Sequence, residues 1–484
     1  MRLRRGDRAF EIEPRGINYL PRSDRRLTPR GLSAMWAGSS FNIEYVVWGA
    51  LVASLGLSLL QSLVVIVVGN LSWCLTGLAS VQGPEAGTTA FGVSRAVYGP
   101  RPNRVLAGTN WLTQVGFETL GLAFVVLAGL ALDIQAGGHP ETATKIAIVL
   151  GAAAVQGLVP WFGHATLAAV LRWCAWVFGA SFVVLGVLAA PKLHLHGGWH
   201  GASWSQMSVA MVIVLSAGGI GWTENANDYS RYLPPGLAPR RIVVAVGLGG
   251  GLPVVLAEVM GAAIASIVAH PGTISVISGL PSVFPAWFTV PYLILVIAQL
   301  LAINGLDLYS SGVSLQATGV PIHRTQCVAV DTIVCAGLTA WAVFSGSFTT
   351  ALDDFAQMIV VWIAPWLAVF LVDGALRHGR YDLRSLFSSD GGIYRRRSGT
   401  NWHAVVAQLV GMIAALSWIN TSVFIGPLSR LTGRADLSIY LGAGSAGLCY
   451  WLTARAMVHG EVHRSAIPGS TGDLELEETS LRGG

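Results

Sequence analysis

The stretch Gly219-Ile220-Gly221-Trp222-Thr223-Glu224-Asn225-Ala226-Asn227-Asp228-Tyr229-Ser230-Arg231-Tyr232-Leu233-Pro234 follows the apolar run Val209 to Ala217. It interrupts a hydrophobic segment with glycines, one tryptophan and a cluster of polar and ionised side chains. In a bilayer core, freed backbone groups and buried charges are costly unless they face other protein or a cavity. A membrane protein that breaks a helix at mid-depth usually builds a solute site there. In that setting Trp222 stacks on a flat ring and the exposed amides read the ring's edges. The competing reading is a glycine-rich packing kink with Trp222 at the lipid interface.

The rest of the chain favours the first reading. Of its 484 residues, 53% are hydrophobic and only 11% charged, against about 25% charged in a soluble domain. The mean hydropathy is +0.59. This is the composition of an integral membrane protein, and 58 glycines suit close helix packing in lipid. Twelve apolar segments are expected near 33–57, 59–83, 104–132, 143–164, 167–190, 205–227, 240–269, 286–315, 326–345, 354–373, 403–426 and 436–457. With the N-terminus in the cytosol, 26 of the 30 Lys and Arg fall on the cytosolic side, and Lys145, Lys192, Arg430 and Arg434 on the other. That asymmetry predicts a multi-pass protein of the cytoplasmic membrane with both termini cytosolic. The basic residues therefore read as topology determinants facing the bilayer's inner surface, and no nucleic-acid partner is implied. The N-terminal 30 residues lack the short apolar core of a signal peptide, so no cleaved leader is expected. The five cysteines (Cys74, Cys174, Cys327, Cys335, Cys449) lie in apolar segments without C-x-x-C spacing and are expected to be buried hydrophobes.

Polar residues at membrane depth mark candidate function. The first segment carries Asn42 and Glu44 in Ser39-Ser40-Phe41-Asn42-Ile43-Glu44-Tyr45, which predicts a broken or cavity-facing helix. In the third, Gln114, Phe117, Glu118 and Gly121 share a helical face at i, i+3, i+4 and i+7. Glu258 is a further acid in the seventh. Asn304 and Asp307 in the eighth, at i and i+3, can face one cavity or satisfy each other between helices. His194, His196 and His200 form an H-x-H-x3-H tract in an external loop, without a carboxylate or cysteine beside it. No metal site or cofactor is expected there.

Four blocks carry a resemblance: GPEAGTTAFGVSRAVYG (83–99), NWLTQVGFE (110–118), GWTENANDYSRYLP (221–234) and NGLDLYSSGVSLQATG (304–319). Taken in order, they resemble the purine–cytosine permease branch of the nucleobase:cation symporter-1 family, over roughly residues 35–460. The resemblance implies an all-α, twelve-helix membrane protein, with two inverted five-helix repeats of the LeuT type (33–190 and 191–373) and two extra C-terminal helices (403–457). Around these lie a basic cytosolic tail (1–32), a basic cytosolic loop (374–402) and an acidic-ended tail (458–484) expected to be disordered. It also implies that helices one and six are broken, with the solute between them and helices three and eight. By position, Phe117 and Trp222 would sandwich the ring. Asp307 would read its edge, with Asn304 one turn away. Gly121 stands where many members have an amide. Sodium-coupled members place hydroxyls on helix eight where this chain has Leu301 and Ala302, which weakens a site for a hard cation. Glu118, Glu44, Glu258 and Asp307 offer carboxylates instead, so H+ is favoured over Na+ as the coupling ion.

The expectation is a non-enzymatic symporter that imports a nucleobase such as cytosine or a purine by alternating access. The same architecture could carry allantoin, a hydantoin or a thiamine precursor. A membrane metalloenzyme built on the three histidines is a reading of another class. The residues do not specify an oligomeric state.

Overall fold

The computed structural model describes residues 9–13, 15–193, 201–267, 277, 280, 284–345, 348–388, 392–396 and 398–465. The histidine tract His194, His196 and His200 and the acidic end of the chain lie outside the described residues. Among the described residues the structure is helical, without a β-strand; one isolated antiparallel bridge joins Asn420 and Ile425.

The first apolar segment is split into α1 (Pro29–Ser40) and α2 (Ile43–Ser54). Thr28 caps α1 ahead of Pro29, and Asn42 in extended backbone caps α2 by accepting from Glu44 N at 2.9 Å. A short polar side chain that satisfies an orphan amide is what allows a second helix to start inside an apolar stretch. The second segment is α3 (Leu59–Asn70), begun by a Ser58–Gln61 capping box, then α4 (Trp73–Ser80) and α5 (Gln82–Ala86). A connecting helix α6 (Ala90–Tyr98) leads to α7 (Pro100–Gln135), α8 (Thr142–Phe162) and α9 (His164–Ala189). The sixth segment is α10 (Trp204–Ala217), a 3-10 stretch at Ile220–Asn225, and α11 (Ala226–Ser230). The seventh is α12 (Pro239–Val246) and α13 (Leu252–Ile264), joined through a π-helical turn at Gly247–Gly251. Then follow α14 (Ala286–Ala317), α15 (Arg324–Ser345), α16 (Phe348–Arg377), α17 (Leu383–Phe387), α18 (Trp402–Trp418), α19 (Pro427–Leu431) and α20 (Ser438–Ser465).

Among the described residues, nine helical stretches are long and apolar enough to cross a membrane: 59–86, 100–135, 142–162, 164–192, 204–230, 239–264, 286–317, 324–345 and 355–377. The apolar helices α2 and α18 are shorter. Two expected boundaries shift. The segment expected at 403–426 stops helically at Trp418, because the polar run from Asn420 turns back on itself and its backbone N–H donates to Asp436 Oδ2 at 2.9 Å. The last helix runs past 457 to Ser465, because Glu461, 1% exposed, is drawn inward to Arg377 and Arg396, both at 2.9 Å. Cys74 is exposed, contrary to the expectation of uniformly buried cysteines, since it lies on an outward face of α4.

The most extensive packing is between α7 and α14, the third and eighth segments, and α1 lies along α9. The α2–α13 pair interlocks through glycines: a Cβ on Gly49 would meet the Glu258 carbonyl, and one on Gly261 would meet the Val46 carbonyl. Small residues that let backbones touch are the main packing device where lipid removes the hydrophobic drive. Around the two breaks sits the largest apolar cluster, holding Trp36, Trp48, Trp73, Trp222 and Tyr229.

The described residues ahead of α1 pack against the helices, where a solvated tail was expected of an arginine-rich stretch. Glu13, 4% exposed, packs beneath the bundle. Its carboxylate accepts from Tyr232 Oη at 2.8 Å, Tyr309 Oη at 3.3 Å and the His164 N–H at 3.1 Å, and pairs with Arg231 at 3.3 Å. Arg231 also donates to the Gly16 carbonyl at 2.6 Å. Arg25 is buried too and donates to the Leu20 and Pro84 carbonyls.

Candidate functional site

The break of the sixth segment and the break of the first meet beside α7 and α14. Trp222, 6% exposed, donates from its indole N–H to Tyr45 Oη of α2 at 3.0 Å. The edge contact of its ring with Trp36 of α1 has centroids 5.4 Å apart. Both halves of the broken first segment therefore orient this indole. Phe117 of α7 lies 3.9 Å from where Gly221 would carry a Cβ, next to Trp222, and packs edge-on against Phe355 at 5.1 Å.

Polar groups converge on the same place. Gln114 Nε2 donates to Glu224 Oε1 and to Asn110 Oδ1, each at 3.4 Å. Gln114 Oε1 and Asn225 Nδ2 are buried without a hydrogen-bond partner among the described residues. Asp307, 4% exposed, makes no hydrogen bond to a described residue, yet its carboxyl is within electrostatic reach of those of Glu118, Glu44 and Glu224. Buried polar atoms in native proteins are nearly always paired, so unpaired ones clustered at two helix breaks point to a ligand. Glu44 accepts from its own-helix Trp48 indole at 3.3 Å. Asn42, beyond capping α2, donates to the Gln299 carbonyl of α14 at 3.5 Å, while Gln299 Oε1 accepts from Ile43 N at 3.1 Å and its Nε2 donates to Ser181 at 3.1 Å. The Gln299 side chain thus ties the first break to α14 and α9.

The other expected residues lie elsewhere. Asn304 uses both amide hydrogens between helices, donating to Glu118 O at 3.1 Å and Gln156 Oε1 at 2.9 Å, with its Oδ1 against the bare Cα of Gly121. Asn304 and Asp307 do not bond each other. Glu118 turns away from Gln114: its Oε2 accepts from Cys335 of α15 at 3.0 Å, its Oε1 is unpartnered, and it interacts electrostatically with Asp331. Asp331 itself accepts from Trp111 at 2.5 Å and Ser311 at 2.8 Å. A stripe at i, i+3, i+4 and i+7 is wide enough to address two neighbouring helices, which is what happens here. Glu258 accepts from Asn70 of α3 at 2.6 Å, and its other oxygen is unpartnered.

Four residues of this region were not singled out from the sequence. Glu224 lies inside the polar stretch 219–234 itself. Tyr45 had only its neighbour Glu44 as a signal, Asp331 resembles an interfacial acid near a segment end, and Gln299 had none. Among the described residues no group of histidines, cysteines and acids is arranged to hold a metal.

An all-helical membrane protein whose first and sixth spans unwind around a buried, acid-rich site is built as a transporter. The chain belongs to the family described as permeases for cytosine/purines, uracil, thiamine and allantoin, whose pattern matches residues 19–442. It is accordingly a permease and not an enzyme. The Bacillus subtilis protein YxlA, named as a candidate purine-cytosine permease, is 25% identical over 460 residues, covering 92% of this chain and 96% of its own. The purine-cytosine permease FCY2 of Saccharomyces cerevisiae is 26% identical over 449 residues, covering 86% and 81%. In fold, the chain is similar to Mhp1, a nucleobase-cation-symport-1 family transporter, in a closed conformation with bromovinylhydantoin bound. The TM-score is 0.76 at 17% identity, over 94% of this chain and 99% of that one.

Proposed function

We propose that this permease imports a nucleobase, cytosine or a purine, across the cytoplasmic membrane by alternating access, with protons as the coupling ion and both termini in the cytosol. The observation that carries the reading is the meeting of Trp222, the Gln114–Glu224 pair and the unbonded Asp307 at the two helix breaks. The indole supplies a face for a planar ring. Gln114, Asn225 and Asp307 supply donors and acceptors for its edges. The names of the relatives agree in substrate class.

Proton coupling is supported by what stands between α2 and α14. Leu301 and Ala302 bring no oxygen-bearing side chain, and the Gln299 amide spans the gap with fixed hydrogen bonds. A hard cation needs several oxygen ligands, whereas a proton needs one carboxyl group. Glu118, facing Asp331 within the bundle, is the first candidate and Glu44 the second.

Uptake of labelled cytosine into proteoliposomes, competed by adenine, hypoxanthine, uracil, allantoin and a hydantoin, tests the substrate class. Strong competition by cytosine or purines is expected, and competition by allantoin or the hydantoin alone would assign the site to that chemistry. In the same assay Trp222→Ala should weaken affinity about ten- to a hundredfold, the equivalent of about 1–3 kcal/mol for one lost base–aromatic stack. Trp222→Phe should retain part of it. Unchanged affinity in Trp222→Ala would remove the stacking role.

A further inference from the structure

A cavity opens on the face of the bundle that carries the N-terminal segment, away from the two helix breaks. Its volume is about 270 Å³, and it is walled by that segment, α6, the start of α7, the end of α14 and α17. Arg95 and Arg104 both line it, and no lining residue is acidic. Burial and the nearby Arg104 charge both pull the Arg95 guanidinium below its ordinary range. Arg95 spends one Nη2 hydrogen bond on the Ser388 carbonyl at 3.0 Å, and Arg104 makes no hydrogen bond or ion pair with a described residue. Arg104 is exposed and Arg95 half-buried, and two like charges turned towards one cavity without a counter-charge favour an anion between them.

Phe91 and Phe387 supply apolar wall. The space equals that of roughly nine liquid waters, more than a bare phosphate fills. Guanidinium forks match phosphate oxygens in pairs.

We propose that this cavity binds a phosphate ester, with the phosphate held between Arg95 and Arg104. A soluble sugar phosphate and the headgroup of an anionic glycerophospholipid share this chemistry. The site lies apart from the transport site, and its test does not depend on the identity of the transported solute.

The experiment measures thermal unfolding of the full-length protein in nanodiscs. In phosphatidylcholine discs, ribose 5-phosphate is added, with ribose as the uncharged control; a parallel sample uses discs containing phosphatidylglycerol. A rise in midpoint with ribose 5-phosphate but not ribose assigns a soluble ester, and a rise only with phosphatidylglycerol assigns the lipid headgroup. Either supports the site, provided the response weakens about tenfold or more in Arg104→Gln, as loss of a charge-assisted contact requires. Arg95→Gln should act alike, but it also frees Ser388, so Arg104→Gln, which breaks no internal bond, is the deciding variant. No response to either probe, or one that Arg104→Gln leaves undiminished, overturns the proposal.

Discussion

Asp307 has a carboxyl group that meets those of Glu44, Glu118 and Glu224 electrostatically, yet bonds to no described residue. A lone acid at this depth is expensive, so it is either held neutral or partnered by the solute. Asp307→Asn keeps the shape, removes the like-charge crowding and exchanges one acceptor for a donor. The expected outcome is an altered order of competing bases with undiminished protein yield. Competition profiles and expression levels measured together check it; an unchanged profile would leave Asp307 a structural group. At this scale the sequence spoke clearly where chemistry conflicts with membrane depth. Trp222, Phe117, Gln114 and Asp307 stand out as polar or aromatic groups in apolar runs. Asn304 stands out by the same rule, but its amide hydrogens are taken by Glu118 and Gln156. Local sequence cannot tell a polar group facing a cavity from one facing a neighbouring helix, because that depends on contacts between residues far apart in the chain.

Between elements, the decisive contacts are those that a periodicity does not carry. The two breaks were legible because Asn42 and the Gly218–Gly221 run interrupt helical patterns outright. The π-helical turn at Gly247–Gly251 was not, since it lies within an apolar run that reads as one segment. Nor was the early end of α18, since its short polar run Asn420-Thr421-Ser422 is followed again by Val423-Phe424-Ile425 and ends the helix only through the contact of Asn420 with the distant Asp436. Glu13 is the clearest case. It sits among arginines in a segment that reads as solvated, and its partner Arg231 is 218 residues away. Their side chains are only 2% and 1% exposed. Removing one partner of such a buried pair leaves an uncompensated charge and typically costs about 3–5 kcal/mol. Glu13→Ala is therefore expected to lower the unfolding midpoint markedly, and Glu13→Gln less so, because the amide still accepts from Tyr232 and the His164 N–H. A thermal-unfolding series in detergent measures this. Equal midpoints for wild type and Glu13→Ala would mean that the N-terminal segment contributes nothing to the packed state.

Across the whole molecule, the proposed alternating access has to open the site to one side and then the other, and the proposed coupling proton has to bias that exchange. A ligand shifts such an equilibrium only by binding one state better than the other. The proposed site for that proton is where α7, α14 and α15 meet: Glu118 and Asp331 interact across the helices, Ser311 of α14 bonds Asp331, and Cys335 bonds Glu118. Two carboxyl groups so close cannot both ionise cheaply in a low-dielectric interior, so taking up or releasing one proton changes the attraction between α7 and α15. On the same α14, Asp307 faces the proposed solute site, which gives one rigid helix a contact with both events. Uptake should therefore rise as the outside pH falls, collapse with a protonophore, and persist when choline replaces Na+. Glu118→Gln, fixed in the neutral form, should lose accumulation against a gradient while keeping downhill exchange of base. Asp331→Asn should instead move the pH profile towards lower pH, because it removes the like charge that favours a proton on Glu118. Proteoliposome uptake with imposed pH and Na+ gradients separates the cases. Transport that stops in choline and ignores pH would return the coupling role to a cation held by main-chain oxygens near Gln299.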